Sequence, residues 1–251
     1  HPFFSQLDTF TQSAFFVNCH TRRLGLNVHT TPEDFFINGV LAYQHKLPIT
    51  PPNFMFDMQY GYHFDSHLLG GFLAEHAQKH GVLMRQETIV KVLRHDTGDV
   101  AALQTEAGET IQGDFFVDCS GFASVLMQKT LGVKFQSFKD NLFNDSAVVM
   151  PTAISQKIPL ETRAQALSAG WCWKIPLTNR FGNGYVYSSD FISPEQAERE
   201  FRLHLGATDE DIECRHLKMR VGQLENHWSH NCLGLGLSQG FIEPLEATAL
   251  H

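Results

Sequence analysis

A serine flanked by glycines near the carboxyl end of the sequence has the residue types of a hydrolase nucleophile. The stretch GLSQG (residues 236–240) matches G-x-S-x-G, in which the serine occupies a sharp turn between a strand and a helix. Such a serine needs an acid and a histidine later in the chain, and His251 is the only histidine after Ser238 that could serve as the base. Pro244 also disfavours a helix directly after the serine. A serine hydrolase that uses Ser238 is therefore an alternative that the pattern supports poorly.

The same serine lies in a glycine-rich segment that suits a flat or anionic ligand. Gly234, Gly236 and Gly240 follow a predicted strand, but the spacing G-x-G-x-x-x-G departs from the fingerprint of a dinucleotide turn. Glycines allow a backbone to approach a ligand closely. Pro244 is well placed to open a helix whose unpaired N–H groups favour an anion, with Glu246 in its first turn. Composition alone leaves Glu246 either as a partner of the helix dipole or as a functional carboxylate.

Two tryptophans alternate along another predicted strand. Trp171 and Trp173 are two residues apart, so their rings are expected on the same side of the strand, either as core aromatics or as part of a site. Cys172 lies between them and is expected to be a small buried apolar residue rather than a reactive thiolate.

The fourteen histidines raise the question of a metal site. The pairs His63/His67 and His76/His80 have helical spacing, but neither contains the internal glutamate of H-E-x-x-H or an evident third ligand. We expect no metal site.

Periodicity predicts the elements that position these residues. The first 60 residues show no sustained period and are expected to form loops and short elements. One helix is predicted from Asp65 or Ser66 to Gly81, and another from the capping box SPEQ (residues 193–196) to Leu205. Strands are predicted over residues 82–84, 88–93, 100–104, 110–117, 147–150, 171–176 and 184–189.

The middle of the chain shows the order strand, glycine turn, helix. The run FFV (115–117) is predicted to be a strand buried on both faces, followed by DCSG (118–121) and a helix that Gly132 ends. This order is typical of a ligand site. A further strand is expected to stop at Pro151, and a second sheet of mixed or antiparallel strands is predicted. The fold class is therefore mixed α/β.

Composition limits the class of protein. The 251 residues carry a formal charge of −8 with no cluster of lysines or arginines, so we expect no nucleic-acid partner. No apolar run has the length of a membrane span, and we expect no membrane association. Five scattered cysteines indicate no disulfide framework and favour a cytoplasmic location. The chain is expected to form a single partial domain over residues 1–251.

With the motif WCWKIP (171–176), which contains the alternating tryptophans, the chain resembles the flavin-dependent halogenase family, in particular the tryptophan halogenases. The diagnostic W-x-W-x-I-P is present as WCWKIP (171–176). Further matches follow in family order along the chain: HPF (1–3), HFDSHL (63–68), DCSGF (118–122), NDSAVV (144–149), RVG (220–222) and FIEPLEATA (241–249).

The resemblance implies a flavoprotein of the p-hydroxybenzoate hydroxylase-like architecture with FAD as its cofactor. It further implies that a separate flavin reductase supplies reduced FAD, which with O2 and chloride or bromide yields hypohalous acid that halogenates an indole or tryptophan-like aromatic. Two alternative functions stay open, namely an aromatic hydroxylase of the same architecture and a catalytically silent flavin-fold protein. The oligomeric state is also open, with a homodimer among the options.

The resemblance also implies roles for individual residues. Glu246 matches the catalytic glutamate beside the substrate, and the backbone amides of Thr248 and Ala249 match the halide site. Residues that match flavin-contacting positions, or that we expect near the cofactor, are Leu237, Leu250, Ile89, Gly121, Trp171 and Trp173. His1 and Phe3 match substrate-pocket residues, where an aromatic ring stacks on an indole.

The sequence departs from the family pattern in two respects. Ala247 and Ala249 replace the family's serine and glycine, which puts the halide preference and the local geometry in question. The family's first G-x-G-x-x-G and its catalytic lysine would lie upstream of residue 1, and neither Lys46 nor Lys79 is in the matching context. We therefore expect the chain to be the middle portion of a larger halogenase, and expect it alone to bind FAD poorly and not to turn over.

Overall fold

The computed structural model describes residues 5–207 and 212–242. Its contacts divide the chain into two compact units. The first unit comprises residues 1–69, 152–163 and 174–182, and the second comprises residues 70–151, 164–173 and 183–251. Glu246, Thr248, Ala249, Leu250, His1 and Phe3 lie outside the described residues, so their predicted roles stay predictions.

The described helices are α1 (Thr9–Arg23), α2 (Ile37–Tyr43), α3 (Ser66–Lys79), a π-helix (Val125–Thr130) and α4 (Pro194–Leu205). Short 3-10 turns include Gly121–Ala123 and Gly236–Ser238. The strands are β1 (Ile89–Arg94), β2 (Val100–Thr105), β3 (Thr110–Gln112), β4 (Phe116–Asp118), β5 (Phe135–Ser137), β6 (Ser146–Ala153), β7 (Arg163–Leu167), β8 (Gly170–Pro176), β9 (Arg180–Tyr187), β10 (Arg215–Lys218), β11 (Gly222–Leu224), β12 (Trp228–Ser229), β13 (Cys232–Gly234) and β14 (Gly240–Phe241).

Helix α1 corrects the expectation that the first 60 residues form only loops and short elements. None of its residues is buried, so its apolar side chains do not mark a core-facing side of the helix. Phe15 of α1 lies 5.4 Å between ring centroids from both Phe35 and Phe36. The buried Asp8 carboxylate accepts the Ile37 N–H at 2.8 Å, which ties the start of α1 to the start of α2.

Helix α3 forms where the sequence predicts it. The Asp65 carboxylate accepts the N–H groups of His67 and Leu68 and so caps the first turn. Gly81 follows the helix and has a φ of +88°, the left-handed conformation of a glycine that ends a helix, as predicted. Arg180 donates to Asp65 at 2.8 Å, and this bond lowers the pKa of the Asp65 carboxyl.

The strands of the described residues assemble into four sheets. Strands β1, β2 and β3 form an antiparallel meander, and β14, β11 and β5 form a second antiparallel sheet. A five-stranded sheet has the order β10-β6-β9-β8-β7. The fourth sheet has the order β12-β13-β4, in which β13 and β4 are parallel.

Alternation gives the five-stranded sheet two different faces. Cys172, Tyr185 and Tyr187 point toward a core that includes Ala197 and Phe201 of α4. Their neighbours Trp171, Trp173 and Val186 belong to a separate cluster with Ala147 and Met219. Helix α4 covers the first face and has the predicted capping box at Ser193 and the predicted left-handed Gly206 at its end.

Two predicted strands are wrong in the amino-terminal half of the second unit. Residues 82–84 form no strand among the described residues, and Val82, Leu83 and Met84 are all exposed. The strand predicted over 110–117 is two strands in different sheets, β3 and β4, because the chain bends at Asp114 and Phe115 between them.

The burial of β4 also differs from its prediction. Phe116 is buried, whereas Phe115 and Val117 are about half exposed. Strand β4 is an edge strand whose described sheet neighbour is β13, and burial alternates along it, as expected where one face of the strand is covered and the other is open.

Strand β6 continues through Pro151, where the sequence predicts its end. Its antiparallel register with β10 reaches only Val149. A proline has no N–H to donate, and it is tolerated at Pro151 because β10 no longer pairs with β6 there.

Candidate functional site

Two glycine turns lie together at the end of the parallel strand pair. In the register of β4 and β13, Gly234 pairs with Asp118, so both strands end at the same edge. Strand β4 is followed by the turn at Gly121, and β13 by the turn at Gly236. The carboxyl ends of parallel strands are where ligands bind in open α/β sheets. The chain order predicted in the sequence is thus confirmed for the first turn, and the second turn is its spatial neighbour.

A buried carboxylate builds the first turn. Asp118 is 2% exposed, and its Oδ1 accepts the Ser120 N–H at 3.0 Å and the Ser120 hydroxyl at 2.6 Å. Its Oδ2 accepts the N–H groups of Leu126 and Met127 at 2.8 and 2.9 Å. These two donors open the π-helix, so Asp118 satisfies amides that would otherwise lack an intrahelical acceptor.

The main chain of Asp118 connects the first turn to the second. Its carbonyl accepts the Leu235 N–H at 3.0 Å and lies in close hydrogen-bond contact with the Ser238 hydroxyl. The Ser238 hydroxyl also lies 2.8 Å from the Leu235 carbonyl, and Ser124 donates its hydroxyl to the Ser238 carbonyl at 3.0 Å. These bonds hold the two glycine turns at a fixed separation.

Ser238 is therefore a structural residue and not a nucleophile. It is 2% exposed, and within the described part of the chain every hydrogen bond of its hydroxyl is with a main-chain group. A nucleophilic serine requires an exposed hydroxyl bonded to a base. The G-x-S-x-G match thus reflects the requirements of the turn, and the hydrolase alternative has no support.

The outer surface of the two turns is open and apolar. Gly121 and Gly236 have φ of +66° and +64°, and a Cβ built on either would meet no atom of residues 5–207 and 212–242 within 4 Å. Leu235 and Leu237 beside Gly236 are 54% and 43% exposed. Two glycines without side chains and two exposed leucines suit a flat ring system, so the residues present fit a flavin.

An aromatic cluster adjoins these turns in the chain. Trp171 and Trp173 lie on the same side of β8, as predicted, with ring centroids 5.9 Å apart and an interplanar angle of 55°. They share the cluster of Ala147, Val186 and Met219 with Phe122, which follows Gly121, and with Phe241, which follows Gly240.

The rings of Phe122 and Phe241 meet edge to face at 5.6 Å and 88°. Three separate motifs, WCWKIP, DCSGF and the start of FIEPLEATA, thus contribute to one cluster. The sequence placed these motifs far apart, and only the structure brings them together.

Arg220 fixes the first turn from outside, a role that sequence reasoning missed. Its guanidinium donates to the Phe122 carbonyl at 3.1 Å and to the Gln128 side chain at 2.6 Å, and it lies 4.6 Å from the centroid of the Phe135 ring. The sequence offered RVG only as a family match, and nothing in its spacing pointed to Phe122.

The cysteines near the site are buried rather than reactive. Burial raises the pKa of the Cys232 thiol to about 11, with the Asp118 carboxylate adding to the effect. Burial likewise raises the pKa of Cys172, as expected for a small apolar residue between two tryptophans. Both thiols are therefore protonated near neutral pH.

Other predicted site residues have mixed outcomes. Ile89 begins β1 and pairs with Thr105 in the meander, where its predicted adenine contact is untested. His76 and His80 stack with ring centroids 4.4 Å apart, and His80 Nδ1 bonds the His76 carbonyl at 2.8 Å. Across residues 5–207 and 212–242, no three His, Cys, Asp or Glu side chains are grouped to hold a metal ion. No helix in the same ranges is long and apolar enough to cross a membrane.

The described helices and sheets match solved flavin-dependent halogenases, which share the fold of FAD-dependent oxidoreductases. A flavin-dependent halogenase from Brevundimonas sp. BAL3 is 32% identical with a TM-score of 0.80, covering 94% of this chain and 48% of that one. Tryptophan 6-halogenase SttH from Streptomyces toxytricini is 44% identical over 194 residues, which are 76% of this chain and 37% of that protein. Tryptophan 7-halogenase RebH from Lentzea aerocolonigenes is 37% identical over 196 residues, with the same two coverages.

The model of the family named tryptophan halogenase matches residues 1–251, and this chain belongs to that family. The chain matches about 37% of the length of the two curated relatives.

Proposed function

We propose that the chain is part of an FAD-dependent halogenase that transfers chloride or bromide to the ring of tryptophan or a related indole. The observation that carries the proposal is the pair of open glycine turns at the shared end of β4 and β13. Phe122, which follows Gly121, and Phe241, which follows Gly240, pack in the same cluster as the two tryptophans of the W-x-W-x-I-P motif. Membership of the tryptophan halogenase family supports this class of reaction.

The residues assigned to the cofactor would each hold a different part of FAD. Gly121 and Leu237 present the open apolar face for the ring system, Leu250 would extend it, and Ile89 would contact the adenine. When bound and reduced, FAD supplies with O2 and halide the electrophilic halogen that the indole ring attacks.

Trp171 and Trp173 would keep the aromatic substrate apart from the flavin and exclude water from the space between them. Two half-buried indoles packed on Val186 and Ala147 form a rigid wall rather than a mobile one. Such a wall favours transfer of halogen over direct transfer of oxygen, which distinguishes a halogenase from a hydroxylase of the same architecture.

The substrate and halide roles follow the family match. Glu246 would position or polarise the halogenating species beside the indole, and His1 and Phe3 would hold that indole. The amides of Thr248 and Ala249 would bind the halide.

A separate flavin reductase would supply the reduced cofactor, and homodimer formation is compatible with the proposal. The five cysteines, all free, favour a reducing cytoplasm.

The test is reconstitution of the protein expressed from its complete reading frame. Incubation with FAD, NADH, a flavin reductase, O2, tryptophan and chloride or bromide is expected to yield a monohalogenated tryptophan, identified by its isotope pattern in mass spectrometry. The product must depend on the halide. A hydroxylated product without halogen would instead indicate an aromatic hydroxylase, and FAD binding without any product would indicate a silent flavin-fold protein.

The role of Glu246 is tested in the same assay. Glu246→Gln is expected to lower kcat for halogenation by about 100-fold or more while FAD affinity is unchanged, since positioned carboxylates contribute factors of this size. Glu225→Gln removes the same charge from an exposed side chain and serves as the control. Wild-type kcat in Glu246→Gln would remove Glu246 from the mechanism.

A further inference from the structure

The backbone of Gly184 does not need a glycine. Gly184 lies within β9, and it is absent from the residues with positive φ. Every residue type can adopt an extended strand conformation, so the reason for a glycine must be spatial.

The space that a side chain would occupy at Gly184 is filled by Trp173. A Cβ built on Gly184 would lie 2.6 Å from Cε2 of the Trp173 indole and closer still to its Cζ2 and Cη2. Separations below 3.0 Å are not found for real Cβ atoms, so an alanine would force the indole to move. The indole of Trp173 thus lies directly on the main chain of β9.

The displaced indole has no room toward the sheet. Val186 is 0% exposed and Ala147 is 2% exposed, and both pack in the cluster that Trp173 joins. Interiors of this density do not absorb a shift without strain. A methyl group at Gly184 would therefore push the ring away from the sheet and change its distance and tilt relative to Trp171.

We propose that Gly184 is a positioning residue that sets the depth and plane of the Trp173 indole. The inference rests on the proposed function in one respect, namely that Trp173 separates the substrate from the flavin. A shift of the ring would then open a path by which reduced FAD delivers its two electrons to O2 to give FAD and hydrogen peroxide, without halogenation of the substrate.

Gly182 provides a matched control on the same strand. It also has no positive φ, and among the described residues a Cβ there would approach only the flexible Arg180 guanidinium at 3.4 Å and the Ile175 carbonyl at 4.0 Å. Gly182→Ala and Gly184→Ala therefore make the same chemical change in the same strand, but only Gly184→Ala meets the indole.

The first measurement does not depend on catalysis. In the protein from the complete reading frame, Gly184→Ala is expected to change the near-ultraviolet circular dichroism of tryptophan and to lower Tm by several degrees. Trp173→Leu removes the three indole atoms that the methyl group meets. The Tm loss from Gly184→Ala is therefore expected to shrink in the Trp173→Leu background, and an unchanged loss, or unfolding in both backgrounds, would overturn the proposal.

The second measurement connects the position of the ring to the reaction. Gly184→Ala is expected to lower the yield of halogenated product per reduced FAD by about 10-fold to 100-fold, with a matching rise in hydrogen peroxide, since small misplacements have effects of this size. Gly182→Ala should keep the wild-type yield.

If Gly184→Ala has the yield and the spectrum of Gly182→Ala, Gly184 is not a positioning residue. If the wild-type protein gives no halogenated product, the proposed function is wrong. The circular dichroism spectra and the Tm values would still test whether Gly184 positions the Trp173 indole.

Discussion

At the scale of single residues, Ser238 shows how the same pattern can serve chemistry in one fold and structure in another. The glycines of G-x-S-x-G permit a tight turn in both cases. In this chain the serine hydroxyl is turned inward onto the Asp118 and Leu235 carbonyls. Its burial could not be predicted from the sequence, because Asp118 is distant in the chain and only the pairing of β4 with β13 brings it close.

Replacing Ser238 by alanine is expected to reduce stability without abolishing halogenation. The change removes a buried hydroxyl and leaves carbonyls without their donor, which costs about 1–2 kcal/mol. Chemical denaturation followed by tryptophan fluorescence measures this loss, with the exposed Ser13→Ala as the control. A loss of all activity in a Ser238→Ala protein of wild-type fold would contradict the structural role.

At the scale of elements, the side-chain contacts of Glu198, within α4 and with β10, include a tertiary link that the sequence does not reveal. Glu198 of α4 accepts from Arg202 at 2.8 Å and bonds His216 of β10 at 2.7 Å. These bonds, the Arg202 contact foremost, hold the pKa of the Glu198 carboxyl below its usual value. A carboxyl whose pKa is lowered in the folded state stabilises the fold above its unfolded pKa, and this stabilisation is lost as the pH falls through the folded pKa.

Glu198→Gln is therefore expected to lower the free energy of unfolding at pH 7 by about 1 kcal/mol, a value reduced by the partial exposure of the carboxyl. The difference from wild type should shrink as the pH falls below about 4, where the wild-type carboxyl becomes protonated in the unfolded chain and then in the folded one. Urea titrations across this pH range measure it, with the exposed Glu106→Gln as the control. A difference that is the same at pH 3 and pH 7 would be contrary to this account.

Elements with local signals were predictable, and those without them were not. Helices α3 and α4 have capping residues and terminal glycines within the sequence, and both form where these signals place them. Helix α1 has no buried residue and was missed. Strand β6 continues through Pro151 because its pairing with β10 ends before that residue. The point where this pairing ends cannot be predicted from the local sequence.

At the scale of the whole molecule, the family motifs predicted the class of protein, which the periodicity of apolar residues did not. WCWKIP and DCSGF identified the family, and the family model matches residues 1–251. The arrangement of the candidate site depended on pairings between distant segments, above all Gly234 with Asp118. Gly184 has no special backbone angle, and its role could be recognised only once the position of the Trp173 ring was known.

The central claim is that the turns at Gly121 and Gly236 form the face on which the flavin ring lies. Gly206 offers a matched comparison, because its φ of +68° is close to theirs and its Cβ would likewise meet no atom of the described residues within 4 Å, while it ends α4. Alanine at any of the three positions imposes similar backbone strain. Only Gly121→Ala and Gly236→Ala would place a methyl group on the proposed flavin face.

The most direct measurement is the Kd for FAD of these three variants in the protein from the complete reading frame, followed by quenching of flavin fluorescence. Gly121→Ala and Gly236→Ala are expected to raise Kd by about 10-fold or more, the effect of a small misfit in a packed site, while Gly206→Ala keeps the wild-type Kd. Wild-type Kd in folded Gly121→Ala and Gly236→Ala, or an equal loss in all three variants, would contradict the account.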